Sequence, residues 1–342
     1  MSTRMRQEIL DTREVCLAFA RSDRSRFERS NRELRARGQV ILMGTGASLN
    51  ACKVSQYAFM KEAGILPHVM PASDVSLLEN VADRDTLVIL VSQSGASYET
   101  KVAVEFLKRH GVTVWGITNI GDSPLALQAD ETFLMNAGEE VSSATKTYAA
   151  TLLILYAMAA GGSDAFLRRL AELPRAVEET LAVSESKIAA WAEVLGKRDK
   201  FYVLGDRAFG VTAQQGALVV KEKTFLHAEG MSLSEFRHGN IEVVEPGLPI
   251  VVVAAADSIG ESRMHADHLA SIGAEVYWIG DREASSERIP SDRSLVLPGL
   301  DDTAMSQITT VLPLMMLAEN IAAMKGYDVD GFRHISKVVG QY

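Results

Sequence analysis

The sequence predicts an α/β protein made of two tandem copies of one parallel-sheet domain. Three observations carry this. Short apolar runs ending in glycine alternate with amphipathic helical stretches, which is the pattern of βαβ units. The alternation starts near Gln39, pauses after the glycines at 161 and 162, and restarts near Lys200. The two halves also overlay at nearly constant offset: Gly44 on Gly205 at 161, LVILVS at 87 on IVVVAA at 250 at 163, and GVTVWGI at 111 on GAEVYWI at 273 at 162. A period this long is too large for a solenoid repeat and fits a duplicated domain.

The elements follow in order. Residues 5–20 predict a short helix, and an arginine-rich polar helix follows it. The first 38 residues hold ten arginines and six acids, which reads as a solvated surface segment or as a basic arm. QVILMG at 39 is a buried strand. ASLNACKVSQYAFMKEAG has helical period and stops at Gly64. DTLVILVSQSG is a second strand and SYETKVAVEFLKRHG a second helix, with Gly111 in the C-cap position. VTVWGIT is a third strand, and SSATKTYAATLLILYAMAAGG a helix over 142–162. A long helix over 165–196 bridges to the second half. There KFYVLG, PIVVVAA and AEVYWIG predict strands. FGVTAQQGALVVKEKTFLHAEG, over 209–230, and ESRMHADHLASIG predict helices, and a closing helix covers 303–324. The implied organisation is an N-terminal helical segment (1–38), a first domain (39–162), a helical linker (163–198), a second domain (199–326) and a C-terminal tail (327–342).

Composition narrows the function. The 342 residues are 47% hydrophobic and 23% charged, enough to bury two cores. The net charge of −9 argues against nucleic acid and against a basic membrane-surface protein. Two cysteines, Cys16 and Cys52, are too few for a disulfide framework and suit a reducing cytoplasm. The N-terminus lacks a signal-peptide apolar core, and no run approaches 18 uninterrupted apolar residues, so no membrane span is expected.

Chemistry concentrates in a few places. Ser92-Gln93-Ser94-Gly95-Ala96-Ser97 follows a strand and opens a helix. Hydroxyls and amides at a helix N-terminus favour an anion, and the turn holds no lysine or arginine, so a phosphate held by neutral donors is one reading. The other is that Ser97 is a plain N-cap. Only the first half has this turn; the second has Ala254, Ala255, Ala256, Asp257 and Ser258. Gly44-Thr45-Gly46-Ala47-Ser48 resembles a dinucleotide fingerprint without its third glycine, and no acid closes a following strand, which argues against NAD. Glu222 sits among Leu218, Val219, Phe225 and Leu226 at helical spacing. A carboxylate on such a stripe is either a base with raised pKa or half of an ion pair. His238 lies in the loop Ser234-Glu235-Phe236-Arg237-His238-Gly239, where either a catalytic or a plain loop histidine fits. His265 and His268 have i,i+3 spacing, which reads as a metal pair or an exposed helix face; no third ligand is visible, and no metal is assigned. By position alone Lys337 is a surface lysine.

Several of these motifs together resemble the sugar isomerase (SIS) domain family. They are SQSG opening a helix, NAGEEVSSATKTY at 136–148, KEKTFLHAEGMSLSEFRHGNIEVVEPGLP at 221–249 and the tail DGFRHISKVVGQY at 330–342. The likeness is to the isomerase half of glucosamine-6-phosphate synthase and equally to fructosamine-6-phosphate deglycases, and it covers about residues 5–342. It implies two tandem SIS domains, each a three-layer αβα, flavodoxin-like sandwich. It implies that Ser48, Ser92, Gln93, Ser94 and Ser97 hold a sugar phosphate, with Ser143 also in the substrate site. It further implies that Glu222 moves a proton between C1 and C2, that His238 opens the sugar ring from the partner subunit of a homodimer with shared sites, and that Lys337 forms a Schiff base. No cofactor is implied. The expected function is a cytoplasmic enzyme on a 6-phosphorylated amino sugar or fructosamine, acting as deaminase, deglycase or aldose–ketose isomerase. The alternatives are a non-catalytic phosphosugar-binding regulator and a metal-dependent isomerase. The segment 136–148 is slightly shorter than in the synthase, which bears on the contacts around Ser143. Ser2 stands where the synthase's glutaminase needs a cysteine, so glutamine-dependent synthesis is not expected of this chain alone.

Overall fold

A computed structural model describes residues 3–255, 257–284, 286–338 and 340. The chain divides into two compact units. One comprises Glu14–Glu140, Lys146–Ala171 and the tail from Arg333; the other comprises the residues through Arg13, Val141–Thr145 and Glu172–Phe332. The helix Asp164–Leu195 contributes residues to both.

The first unit holds a five-stranded parallel sheet. Its strands are β1 (Gln39–Gly44), β2 (His68–Pro71), β3 (Thr86–Val91), β4 (Thr113–Thr118) and β5 (Glu131–Leu134), in the order β2-β1-β3-β4-β5. The second unit repeats this order with β6 (Lys200–Gly205), β7 (His227–Ser232), β8 (Pro249–Ala254), β9 (Glu275–Gly280) and β10 (Ser294–Val296), arranged β10-β9-β8-β6-β7. This 2-1-3-4-5 order is flavodoxin-like, and it carries the fold class read from the sequence. β3 and β8, the central strands, are buried at every residue, as expected where helices cover both faces of a parallel sheet. Ile41, Met43, Val88, Leu90, Val104 and Leu107 form part of the first core; Leu204, Ile250, Val252, Val276 and Trp278 form part of the second.

Several elements differ from expectation, each for a local reason. The helix expected over 209–230 ends at Thr224, where Phe225 takes a left-handed conformation (φ 59°) and releases the chain into β7. Gly230 lets that strand lie against the helix, since a Cβ there would overlap the Ala213 carbonyl. The helix expected over 142–162 begins only at Lys146. The helix expected over 5–20 is two, Arg4–Leu10 and Thr12–Phe19, joined at Asp11. The N-terminal 38 residues are only partly the solvated segment expected: Met5, Ile9, Cys16 and Leu34 are fully buried, while Arg21, Arg24, Arg29, Arg32 and Arg35 are exposed. Three other arginines pair with acids, Arg6 with Glu319 at 2.8 Å, Arg13 with Glu178 at 3.0 Å and Arg26 with Glu131 at 2.9 Å. The closing helix, Thr303–Met324, is long and apolar enough to cross a membrane by length and composition, but 83% of its most apolar window is buried within the fold. It lies on the helix Ala208–Thr224, where Gly216 leaves room for Leu314.

Candidate active site

The first unit's sheet places its chemistry by topology. β1 and β3 are neighbours whose outward connections run to opposite sides, so the crevice beyond their carboxyl ends is the switch point where such sheets bind ligands. Met43 pairs with Leu90, which sets the turn after Gly44 beside the turn after Val91. Ser48 lies in the first turn of the helix Ala47–Ala58, partly exposed. Gly46 enters that helix at φ 56°, ψ −125°, a conformation that favours glycine.

The turn after β3 is shaped by its own hydroxyls. Ser92 Oγ accepts from Gly95 N at 3.2 Å, and Ser94 Oγ from Ala96 N at 3.3 Å. Gly95 has φ 62°, and a Cβ there would overlap Ser123 Oγ, so glycine is required on two counts. Ser97 caps the helix Tyr98–Arg109, accepting from Thr100 N at 3.4 Å. The capping reading is therefore realised, and it leaves the amide-rich face of a 12-residue helix at the switch point. Gln93 is fixed by its backbone: its carbonyl accepts from Asn119 N at 2.9 Å and Thr118 Oγ1 at 3.1 Å.

Next to this turn a cleft of about 520 Å³ is lined by Gln93, Asn119, Asn136, Gly138, Glu139 and Glu140, among others. Its residues follow β3, β4 and β5. Asn119 braces the wall, donating from Nδ2 to Gly138 O at 2.7 Å and accepting from Ala137 N at 3.0 Å. Asn136 is left-handed at φ 49°.

Lys337 corrects the surface reading. Its side chain is 24% exposed, and Nζ meets Glu140 Oε2 at 2.8 Å, while the Glu140 side chain is fully buried. Glu140 also accepts from Thr147 N at 3.1 Å and Thr147 Oγ1 at 2.6 Å. The tail thus brings Lys337 to a carboxylate that lines the same cleft as Gln93. Sequence reasoning missed Glu140. The signal available was the acid pair in NAGEE, a few residues before a mostly apolar helix. Val339, Gln341 and Tyr342 of the tail motif lie outside the described residues.

Ser143, Glu222 and His238 belong to the second unit. The Ser143 hydroxyl is buried with no hydrogen-bond partner among the described residues. Glu222 is partly exposed on the helix Ala208–Thr224. The fully buried charge on that helix is instead Lys223, whose Nζ donates to Gly331 O at 2.9 Å and lies 3.9 Å from the Phe332 ring centre. His238 is exposed, just past the short helix Leu233–Phe236, and is followed by Gly239 at φ 102°. His265 and His268 differ in burial: His268 is exposed, and His265 is buried against Asp206 and Arg237, contrary to the exposed-face reading at that position.

Comparison with known proteins fits this architecture. The SIS domain model matches residues 33–161 and 195–325. Glutamine–fructose-6-phosphate aminotransferase (isomerizing) of Aeropyrum pernix is 31% identical over 315 residues, covering 88% of this chain and 51% of that protein. The chain spans about half the length of the curated relatives it matches. Among solved structures, the C-terminal domain of glucosamine-fructose-6-phosphate aminotransferase from Francisella tularensis superposes with a TM-score of 0.86 at 24% identity, covering 96% of this chain and 98% of that one. Glucosamine-6-phosphate deaminase from Thermotoga maritima superposes at 0.75 with 22% identity, covering 99% and 100%. At these identities the superpositions show the fold.

Proposed function

The chain belongs to the SIS domain family of phosphosugar isomerases and their relatives, and we propose that it is an enzyme acting on a 6-phosphorylated amino sugar or fructosamine. The observation that supports this most is Lys337, held at 2.8 Å by buried Glu140 beside the cleft that Gln93 lines. A solvated tail lysine has no need of such a partner. A lysine that attacks a carbonyl must first shed a proton, and an adjacent carboxylate can take it.

In this reading Ser48, Ser92, Gln93, Ser94 and Ser97 hold the phosphate through neutral donors at the switch point. His238 opens the ring by moving the proton between the ring oxygen and the anomeric hydroxyl. The Lys337 amine adds to the C2 carbonyl of the ketose form and water leaves, giving an imine. Water, or an incoming amine, then adds at C2 and displaces Lys337, and in the freed ketose or ketimine Glu222 removes a proton from one of C1 and C2 and returns it to the other, through a cis-enediol or enaminol. Its partial exposure gives it access to a substrate that a sealed carboxylate would lack. The unpartnered Ser143 hydroxyl is a donor for a sugar oxygen. His238 acts from the partner subunit of a homodimer, which its exposure permits. Loss of ammonia or an amino acid, or simple isomerisation, then depends on the substituent.

The test is a panel of glucosamine-6-phosphate and several fructosamine-6-phosphates, followed for product release and treated in parallel with borohydride. The expected result is turnover of at least one member and a reduced sugar adduct on Lys337, absent in Lys337→Met. Binding of the phosphosugars with no turnover and no adduct would instead identify a phosphosugar-sensing protein.

A further inference from the structure

The duplication allows the ligand turn of the first half to be compared with its counterpart. At the offset of 161, Thr45, Gly46 and Ala47 fall on Asp206, Arg207 and Ala208. The backbone is the same: φ 56°, ψ −125° at Gly46 and φ 53°, ψ −128° at Arg207. The second half therefore keeps the turn with a non-glycine residue in a conformation that disfavours side chains. What changes is the side chains: the neutral threonine becomes a buried aspartate, and the glycine an exposed arginine.

Asp206 is 2% exposed. Its Oδ1 accepts from Ser234 N at 2.9 Å and from Ser234 Oγ at 2.6 Å. Its Oδ2 faces Nδ1 of His265 at 3.6 Å, and His265 is itself 7% exposed. Neither of these facing atoms has a hydrogen-bond partner among the described residues. On its other side, His265 Nε2 lies 2.9 Å from Arg237 Nη1. A guanidinium only donates, so Nε2 accepts and the imidazole proton sits on Nδ1, toward the carboxylate. Arg207 does not serve Asp206: its guanidinium donates to Asp257 O at 2.7 Å and pairs with Glu261 at 3.4 Å. One buried carboxylate thus holds Ser234 directly and faces, across 3.6 Å, the histidine that meets Arg237. Ser234 lies within the short helix Leu233–Phe236, and Arg237 is its C-cap, one residue before His238.

We infer that Asp206 and His265 are positioning residues for His238, and that the second half has given its ligand turn a resident anion in order to hold the His238 loop. This rests on His238 as the ring-opening group.

The test compares turnover of a ring-closed 6-phosphorylated fructosamine with that of its 5-deoxy analogue, which lacks the O5 that closes the ring onto C2. His265→Leu removes both contacts at similar volume; His265→Gln can still accept from Arg237 and donate to Asp206. His265→Leu should lower turnover of the ring-closed substrate roughly 10- to 100-fold, with far less effect on the open analogue. His265→Gln should restore most of it, and His265→Leu should add nothing on the ring-closed substrate in a His238→Ala background. Asp206→Asn should show the same selectivity should the leucine variant not fold, and hydrogen exchange over 233–238 should quicken in either. If His238→Ala is selective but the His265 and Asp206 variants slow both substrates equally, or if glutamine fares no better than leucine, the positioning role is overturned. If His238→Ala itself is not selective, the ring-opening assignment has failed and the inference falls with it.

Discussion

At the scale of single residues, neutral donors at one turn and the ion pair of Lys337 with buried Glu140 carry the proposed chemistry. Replacing Ser92, Ser94 and Ser97 together by alanine should raise KM for a 6-phosphosugar. Each lost hydrogen bond to the phosphate costs about 1.5–3 kcal/mol, roughly 10- to 150-fold. Ser97 also caps its helix, so the variant should lose about 1 kcal/mol of stability as well. Unchanged affinity in steady-state kinetics would remove the phosphate from this turn. Glu140→Gln keeps the contacts with Thr147 in shape but takes the carboxylate from Lys337. It should lower kcat by about 10²-fold or more, as expected for a lost proton acceptor, with KM little changed. A change in KM alone would make Glu140 a binding group. The residues most legible in the sequence were those whose chemistry is local. The serine turn announces itself because hydroxyls, glycine and a helix start stand together within six positions. Glu140 does not, because its partner Lys337 is 197 residues away and no spacing rule joins them. Glu222 and Lys223 show the reverse problem. Helical periodicity ranks neighbours by face, but the chain turns at Phe225 directly after them, and burial falls on the lysine.

At the scale of elements, long periodic segments were readable and short edge strands were not. The strand at Lys200–Gly205 and the helix at Thr303–Met324 have the bounds that their patterns predict. β2, β5 and β10 have four, four and three residues, too few to establish an alternation, and each is an edge strand that relies on its neighbour for pairing. β7 was hidden because HAEGMS continues a helical pattern until a left-handed residue breaks it. The helices also seal the two cysteines. Cys16 and Cys52 are free and fully buried, and burial pushes the Cys16 thiol from its ordinary 9.0 up to about 12, with Cys52 pushed up further. A thiol raised on folding remains protonated while the unfolded chain ionises. Its contribution to stability is therefore full below pH 9 and declines as pH climbs from about 9 toward 12. The native protein at pH 8 should show no fast-reacting thiol toward a disulfide reagent, and two after denaturation. A fast thiol in the folded protein would contradict the burial of these helices.

At the scale of the whole molecule, one architecture is used twice, and its halves have diverged in what their first turns bury. The strand offsets of 161, 163 and 162 read from the sequence are those of β1 to β6, β3 to β8 and β4 to β9. The first copy keeps an uncharged turn at its switch point; the second holds Asp206 there. The proposed function assigns the phosphate to the first copy's turn and proton transfer and ring opening to Glu222 and His238 of the second, with His238 acting in a partner's site. If His238 serves the partner's site, an equal mixture of Glu222→Gln and His238→Ala should regain about one quarter of wild-type activity, because half the dimers are mixed and each has one intact site. No recovery, with subunit exchange shown by a tagged pull-down, would place both groups in a single chain's site. The central claim is proton transfer at C1 and C2 of a 6-phosphosugar by Glu222, and its most direct measurement is NMR of the substrate in deuterium oxide. The account predicts enzyme-dependent deuterium at C1 or C2 for at least one of glucosamine-6-phosphate and the fructosamine-6-phosphates, abolished in Glu222→Gln while phosphosugar binding persists. Phosphosugar binding with no exchange across the panel, or exchange that survives in Glu222→Gln, would contradict it.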